Sequence, residues 1–153
     1  MDIQTINHLF SKANDENGFN DFMEVIESQF EKTRLNLNQI HNKDFNYPSF
    51  CSFEIFREIS NYYNTKILFN FEQEKGTSVI VETAYMKDGL GINSRDFIVN
   101  DELEDHIDID DDDNLVEIIH KAIDVALKHN HFILEEITGI SKTKYPDLFP
   151  KEW

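Results

Sequence analysis

From residue 2 to residue 40, apolar side chains recur at intervals of three and four. Ile3, Ile6, Leu9, Phe10 and Ala13 mark one helical face, Asp2 is placed to cap its start, and Asn17, Gly18 and Asn20 interrupt it. Phe19, Phe22, Ile26, Phe30, Thr33, Leu37 and Ile40 repeat the spacing on a second, longer helix, whose other face carries Asp21, Glu24, Glu27, Glu31 and Lys32. An apolar stripe backed by charge is what a helix lying on a core presents. Pro48 suits a first helical turn, and Phe53, Phe56, Ile59 and Tyr63 fit a helical face. The aromatic density there also suits a strand; the helix is the preferred reading for Pro48 to Tyr63.

The period then changes to two. Lys66 to Gln73 and Thr77 to Met86 alternate around Glu74-Lys75-Gly76, which predicts a hairpin with Ile67, Phe69, Phe71, Val79 and Val81 on one face. Asp88-Gly89 and Gly91 form a further turn, and Asp96 to Asn100 reads as a third strand. Asn114 to about Asn130 is strongly helical, with a narrow polar stripe of Glu117, His120, Lys121, Asp124 and Lys128. Phe132 to Ile137 fits either an extension of that helix or a last strand, and Gly139 ends it. The tail from Ser141, with Pro146 and Pro150, reads as extended and packed by Tyr145, Phe149 and Trp153. The predicted fold class is α+β: N-terminal helices and a long C-terminal helix packed on a small, mainly antiparallel sheet of three to four strands. With no repeat and no Pro/Gly/Ser linker, residues 1–153 read as a single domain.

Charge changes this picture most between Asp101 and Asp113. Nine of these thirteen residues are acids, out of thirty in the chain, which has only fourteen Lys and Arg and a net charge of −16. The helix macrodipole favours Asp112 and Asp113 at the start of the last helix, by about 0.3–1 kcal/mol each, and leaves the other seven unexplained. Such a segment attracts cations and repels nucleic acid and anionic lipid. Hydrophobic residues make up 40% of the chain, with thirteen Phe, enough to build a core despite the charge. One cysteine, no basic leader followed by an apolar run, and no apolar stretch near the roughly 20 residues of a membrane span predict a cytoplasmic protein.

Motifs for chemistry fail at the positions that geometry demands. Asp108, Asp110 and Asp112 match the first, third and fifth ligands of an EF-hand loop, but Asp113 stands where the turn needs Gly and Ile119 where Glu must close the shell. Glu117-Ile-Ile-His120 has no second copy to complete a di-iron site. His129-Asn-His131 lacks zinc partners, and a mobile helix end is the preferred reading. Cys51, among Phe50, Phe53 and Phe56, reads as a buried thiol. Gly89-Leu-Gly91 is no phosphate loop. No catalytic residue, cofactor or metal is predicted.

An acidic chain of this size, with one cysteine and no catalytic motif, resembles bacterial toxin-immunity proteins of contact-dependent or polymorphic toxin systems. The resemblance is one of general character, carried by the Asp101 to Asp113 patch. It implies a protein that neutralises a basic, nuclease-like toxin domain by blocking its active site or substrate approach. The expected contact surface is Asp101, Glu102, Glu104, Asp105, Asp108, Asp110, Asp111 and Asp112, with Phe97 and Tyr85 as aromatic additions. No direct contact with nucleic acid or membrane is expected, and a homo-oligomer is compatible with the sequence. The competing readings are a DNA mimic and an enzyme with a dispersed site.

Overall fold

Asp2 caps the first helix, its carboxylate accepting the Thr5 amide at 2.7 Å. Hydrogen bonds from the Thr5 side chain and amide hold the Asp2 carboxyl below the ordinary aspartate value. In a computed structural model, residues 1–33, 40–46, 50–60, 63–86, 100–137, 139 and 141–152 are described. Helix α1 (Ile3–Ser11) buries Ile3, Ile6 and Phe10; α2 (Glu16–Phe30), capped by Asp15, buries Phe22, Ile26, Gln29 and Phe30. The second helix was expected to reach Ile40, and it stops at Phe30. There the Thr33 amide and hydroxyl both donate to the Phe30 carbonyl, at 2.9 and 2.7 Å, and close a turn in place of another helical rung.

Among the described residues, five antiparallel strands follow in a simple meander, β1 (Ile40–Asn46), β2 (Phe50–Ser60), β3 (Tyr63–Glu72), β4 (Gly76–Met86) and β5 (Asn100–His106). Within the stretch from Pro48 to Tyr63, expected to be a helix, Phe50–Ser60 is corrected to a strand. Its aromatic and β-branched residues satisfy their backbone groups on two sides at once, against β1 and β3. The hairpin stands where it was expected. Glu72 faces Gly76, whose φ of +80° and close approach to Asn7 (2.9 Å from an added Cβ to Nδ2) favour glycine. The third expected strand lies outside the described residues except for Asn100; β5 starts there and runs through the acids instead of ending before them.

Alternation along the sheet separates two faces. Ile55, Ile67, Phe69, Phe71, Val79 and Val81 are buried on the side where α1 and α3 lie against β3 and β4. Phe30 meets Phe69 edge-on at 5.1 Å, and Phe22 meets Phe71 at 5.3 Å, so α2 seats its aromatic face on the central strand. Helix α3 (Leu115–Phe132) continues as a π-helical turn over Ile133–Ile137, so Phe132 to Ile137 extends the helix. In the tail, Phe149 is buried against His131, whose Nε2 bonds the Pro150 carbonyl at 2.7 Å, whereas Tyr145 remains about half exposed. The expected packing of Tyr145 is not seen, and Trp153 lies outside the described residues. No helix among the described residues is long and apolar enough to cross a membrane.

Candidate partner-docking surface

Poor strand formers occupy β5, and the sheet still fixes them. Glu104 faces Glu82 across the pair, Glu102 faces Ala84, and Asp105 faces Val81. Beyond the strand, the Ile107 amide donates to the Val79 carbonyl at 2.9 Å, and Ile107 and Ile109 pack against the core. The amides of Ile3 and Gln4 donate to the carbonyls of Asp113 and Asp111, each at 2.9 Å, tying the loop to α1. Asp113 accepts the Asp110 amide, and Asn114 caps α3 through the Val116 amide. With backbone and apolar residues directed inward, Glu102, Glu104, Asp105, Asp108, Asp110, Asp111 and Asp112 remain exposed.

Asp101 stands on β5 opposite Tyr85 on β4, so the register joins these two expected contact residues. Their side chains, and Phe97 altogether, lie outside the described residues. The sheet also adds residues that are distant in sequence. On the face away from the helices, Glu82 sits directly opposite Glu104, a like-charge pair that costs stability by itself. Each acid has a basic side chain beside it: Lys66 Nζ lies 3.0 Å from Glu82, and His106 Nε2 lies 2.7 Å from Glu104. Its hydrogen bond to Glu82, with the charges of Glu82, Glu54 and Glu102, raises the Lys66 pKa above the ordinary lysine value. One lysine thus stands within a negative field made by three strands.

The sign of that shift gives a test. Charge stabilisation by Lys66 is complete below its unfolded-state value and is lost as pH rises through the raised folded value. Lys66→Met is expected to destabilise by roughly 0.5–1 kcal/mol at neutral pH, discounted for solvent exposure. The difference should shrink at strongly alkaline pH, in denaturant midpoints of the two proteins.

Helix α3 contributes a second polar group, where a mobile helix end was expected. His129 is buried, with Nδ1 2.9 Å from Thr83 Oγ1 and Nε2 2.6 Å from Asp105 Oδ2. Thr83 also lies 2.8 Å from Thr65 Oγ1, which donates to Asn130 Oδ1 at 2.9 Å. Sheet pairing, rather than fraying, fixes this end of the helix. A hydroxyl, imidazole and carboxylate in series suggest a nucleophile with its base, but their accessibility is the reverse of what catalysis needs. Thr83 is fully buried, while the Asp105 side chain is 61% exposed. The group joins β3, β4 and β5 to α3.

Elsewhere, Glu117, Lys121, Asp124 and Lys128 are exposed and His120 is half-buried, as expected for a solvated stripe. Among the described residues, no group of three His, Cys, Asp or Glu is placed to hold a metal ion. A cleft of about 220 Å³ between α1 and α2 is lined mainly by Leu9, Ala13, Phe22 and Val25, with Lys12 and Asp21 as its charged groups. It is smaller than the roughly 300–1,000 Å³ of ordinary ligand sites. No protein-family model, curated protein or solved structure matches the chain.

Sequence reading missed Glu54, Lys66, Glu82 and His129. The hairpin turn was a signal for the Lys66–Glu82 pairing. Nothing local signalled the pairing of β5 or of His129.

Proposed function

We propose that the protein binds a basic protein partner through β5 and the loop that follows it. The intended partner is a nuclease-like toxin domain, and the effect is to block its active site or its approach to substrate. Such an immunity-type inhibitor would act in the cytoplasm. One observation carries this reading: the acids from Glu102 to Asp112 are exposed while their backbone is held by β4, α1 and the core. An ordered anionic surface needs less ordering on binding than a disordered tail. It also raises encounter rates with a basic protein, to about 10⁸–10⁹ M⁻¹ s⁻¹ at low salt. The Glu82–Glu104 opposition supports the same reading, because a partner's Lys or Arg would relieve it.

A DNA mimic is the second reading, favoured by the spread of charge from β5 onto Glu82 and Glu54 of the open sheet face. Specificity separates the two. Co-expressed with a panel of basic nuclease domains, including any encoded beside its own gene, an immunity protein protects against one and fails against the rest. A DNA mimic displaces duplex DNA from several unrelated binding proteins. Protection against none of the panel, with no displacement of DNA, would remove both readings.

A further inference from the structure

The buried polar chain from Asn130 to Asp105 has a direction, because each threonine hydroxyl has a single hydrogen to donate. Asn130 Oδ1 can only accept, so Thr65 spends its hydrogen there. The Thr65–Thr83 contact must then be donated by Thr83. With its hydrogen used, Thr83 has to accept from His129 Nδ1–H. At its other nitrogen, His129 meets Asp105 at 2.6 Å, a contact that also needs a proton. In this polarity the His129–Asp105 pair holds two protons and is neutral as a unit. This arrangement leaves one donor unused: Asn130 Nδ2 is buried and without a hydrogen-bond partner.

Rotating the Asn130 amide by half a turn gives the opposite polarity. Nδ2–H then donates to Thr65, Thr65 to Thr83, and Thr83 to an unprotonated Nδ1, while Nε2–H still donates to the Asp105 carboxylate. One proton leaves the ring for solvent, no other covalent bond changes, and the His129–Asp105 pair becomes singly negative. The two polarities orphan different atoms. The first keeps the imidazolium paired at both nitrogens and leaves Asn130 Nδ2 without a partner; the second pairs Nδ2 with Thr65 and leaves Oδ1 in its place.

We propose that Asn130, Thr65, Thr83 and His129 form a reversible hydrogen-bond wire whose direction reverses as the His129–Asp105 pair, at β5, gains or loses one proton on the ring. Among the described residues, Asp105 from β5 is the charged side chain bonded to the ring, with Thr83 from β4 at the other nitrogen. Within α3, Lys128 is exposed and His131 is bonded to the Pro150 carbonyl and Lys142. Arg57 on β2 and Asp101 on β5 stand at the register positions opposite Thr65 and Tyr85. The wire rests on this geometry alone. Its consequence, stronger attraction of a cationic partner once the proton is lost, rests on the docking role proposed above.

The test needs no partner, so its failure is separate from failure of the docking role. The protein labelled with ¹⁵N is titrated with acid while the His129 ring nitrogens and the Asn130 side-chain amide are followed by NMR. In the native protein, the Asn130 amide signals are expected to shift with the same midpoint as the His129 ring. Thr83→Ser should preserve this tracking, and Thr83→Val should abolish it; Thr65→Ala replaces the latter if it does not fold. An Asn130 amide that stays still while His129 titrates would overturn the wire, as would tracking that survives in the cut variant. So would a His129 ring whose proton count never changes in the folded state.

Discussion

Phe30→Ala is expected to lower the unfolding free energy by about 3–5 kcal/mol, read from denaturant titration. Phe30 is 1% exposed and meets Phe69, itself fully buried on the central strand, edge-on at 5.1 Å. Truncation removes that contact and leaves a cavity where the last turn of α2 meets the sheet. Phe30 belongs to the buried cluster that also holds Ile26, Ile67 and Phe71. Phe132→Ala is the control. Its side chain, on the last turn of α3, is 42% exposed, and its loss should stay within about 0.5 kcal/mol. Equal costs at the two sites would mean that the helical layer does not sit on the sheet as described.

Reversing Glu102, Glu104, Asp108 and Asp111 to lysine together should slow association with the basic partner by about 10- to 1,000-fold at low salt. These four side chains are exposed and none is assigned a capping role, so the fold should survive the change. Asp105 and Asp113 are left intact because one bonds His129 and the other holds the Asp110 amide. Near 1 M salt, where screening acts over about 3 Å, the native and reversed proteins should converge in rate. Stability should hold or rise slightly, since a lysine at 104 would face Glu82 favourably. Stopped-flow mixing across a salt series measures the rates. A reversed protein that associates as fast as the native one at low salt would place the interface elsewhere.

Much of the fold was legible in the pattern of apolar residues. Where one strong period ran uninterrupted, as in α1, α3 and the hairpin around Gly76, local spacing and tertiary structure agree. The misreadings fall where pairing across the sheet outweighed local preference. Phe53, Phe56 and Ile59 fit a helical stripe, but β2 gains partners on both edges by being extended. Acids are poor strand residues, so Asp101 to His106 did not read as β5; Leu103 on the buried side and the pairing with β4 hold it in place. Seven of the eight expected acidic contacts were found exposed, whereas the Lys66, Glu82 and Glu54 group depends on register between segments far apart in the chain. His129 was hidden for the same reason: its two partners lie 46 and 24 residues away.

The most direct test of the docking role is a hydrogen-exchange footprint of the complex with the basic partner that passes the protection assay. Added protection is expected across Glu102 to Asp112 and on the open-face strand segment around Glu82. Protection confined to the α1–α2 cleft or the C-terminal tail, with β5 exchanging as in the free protein, would contradict it.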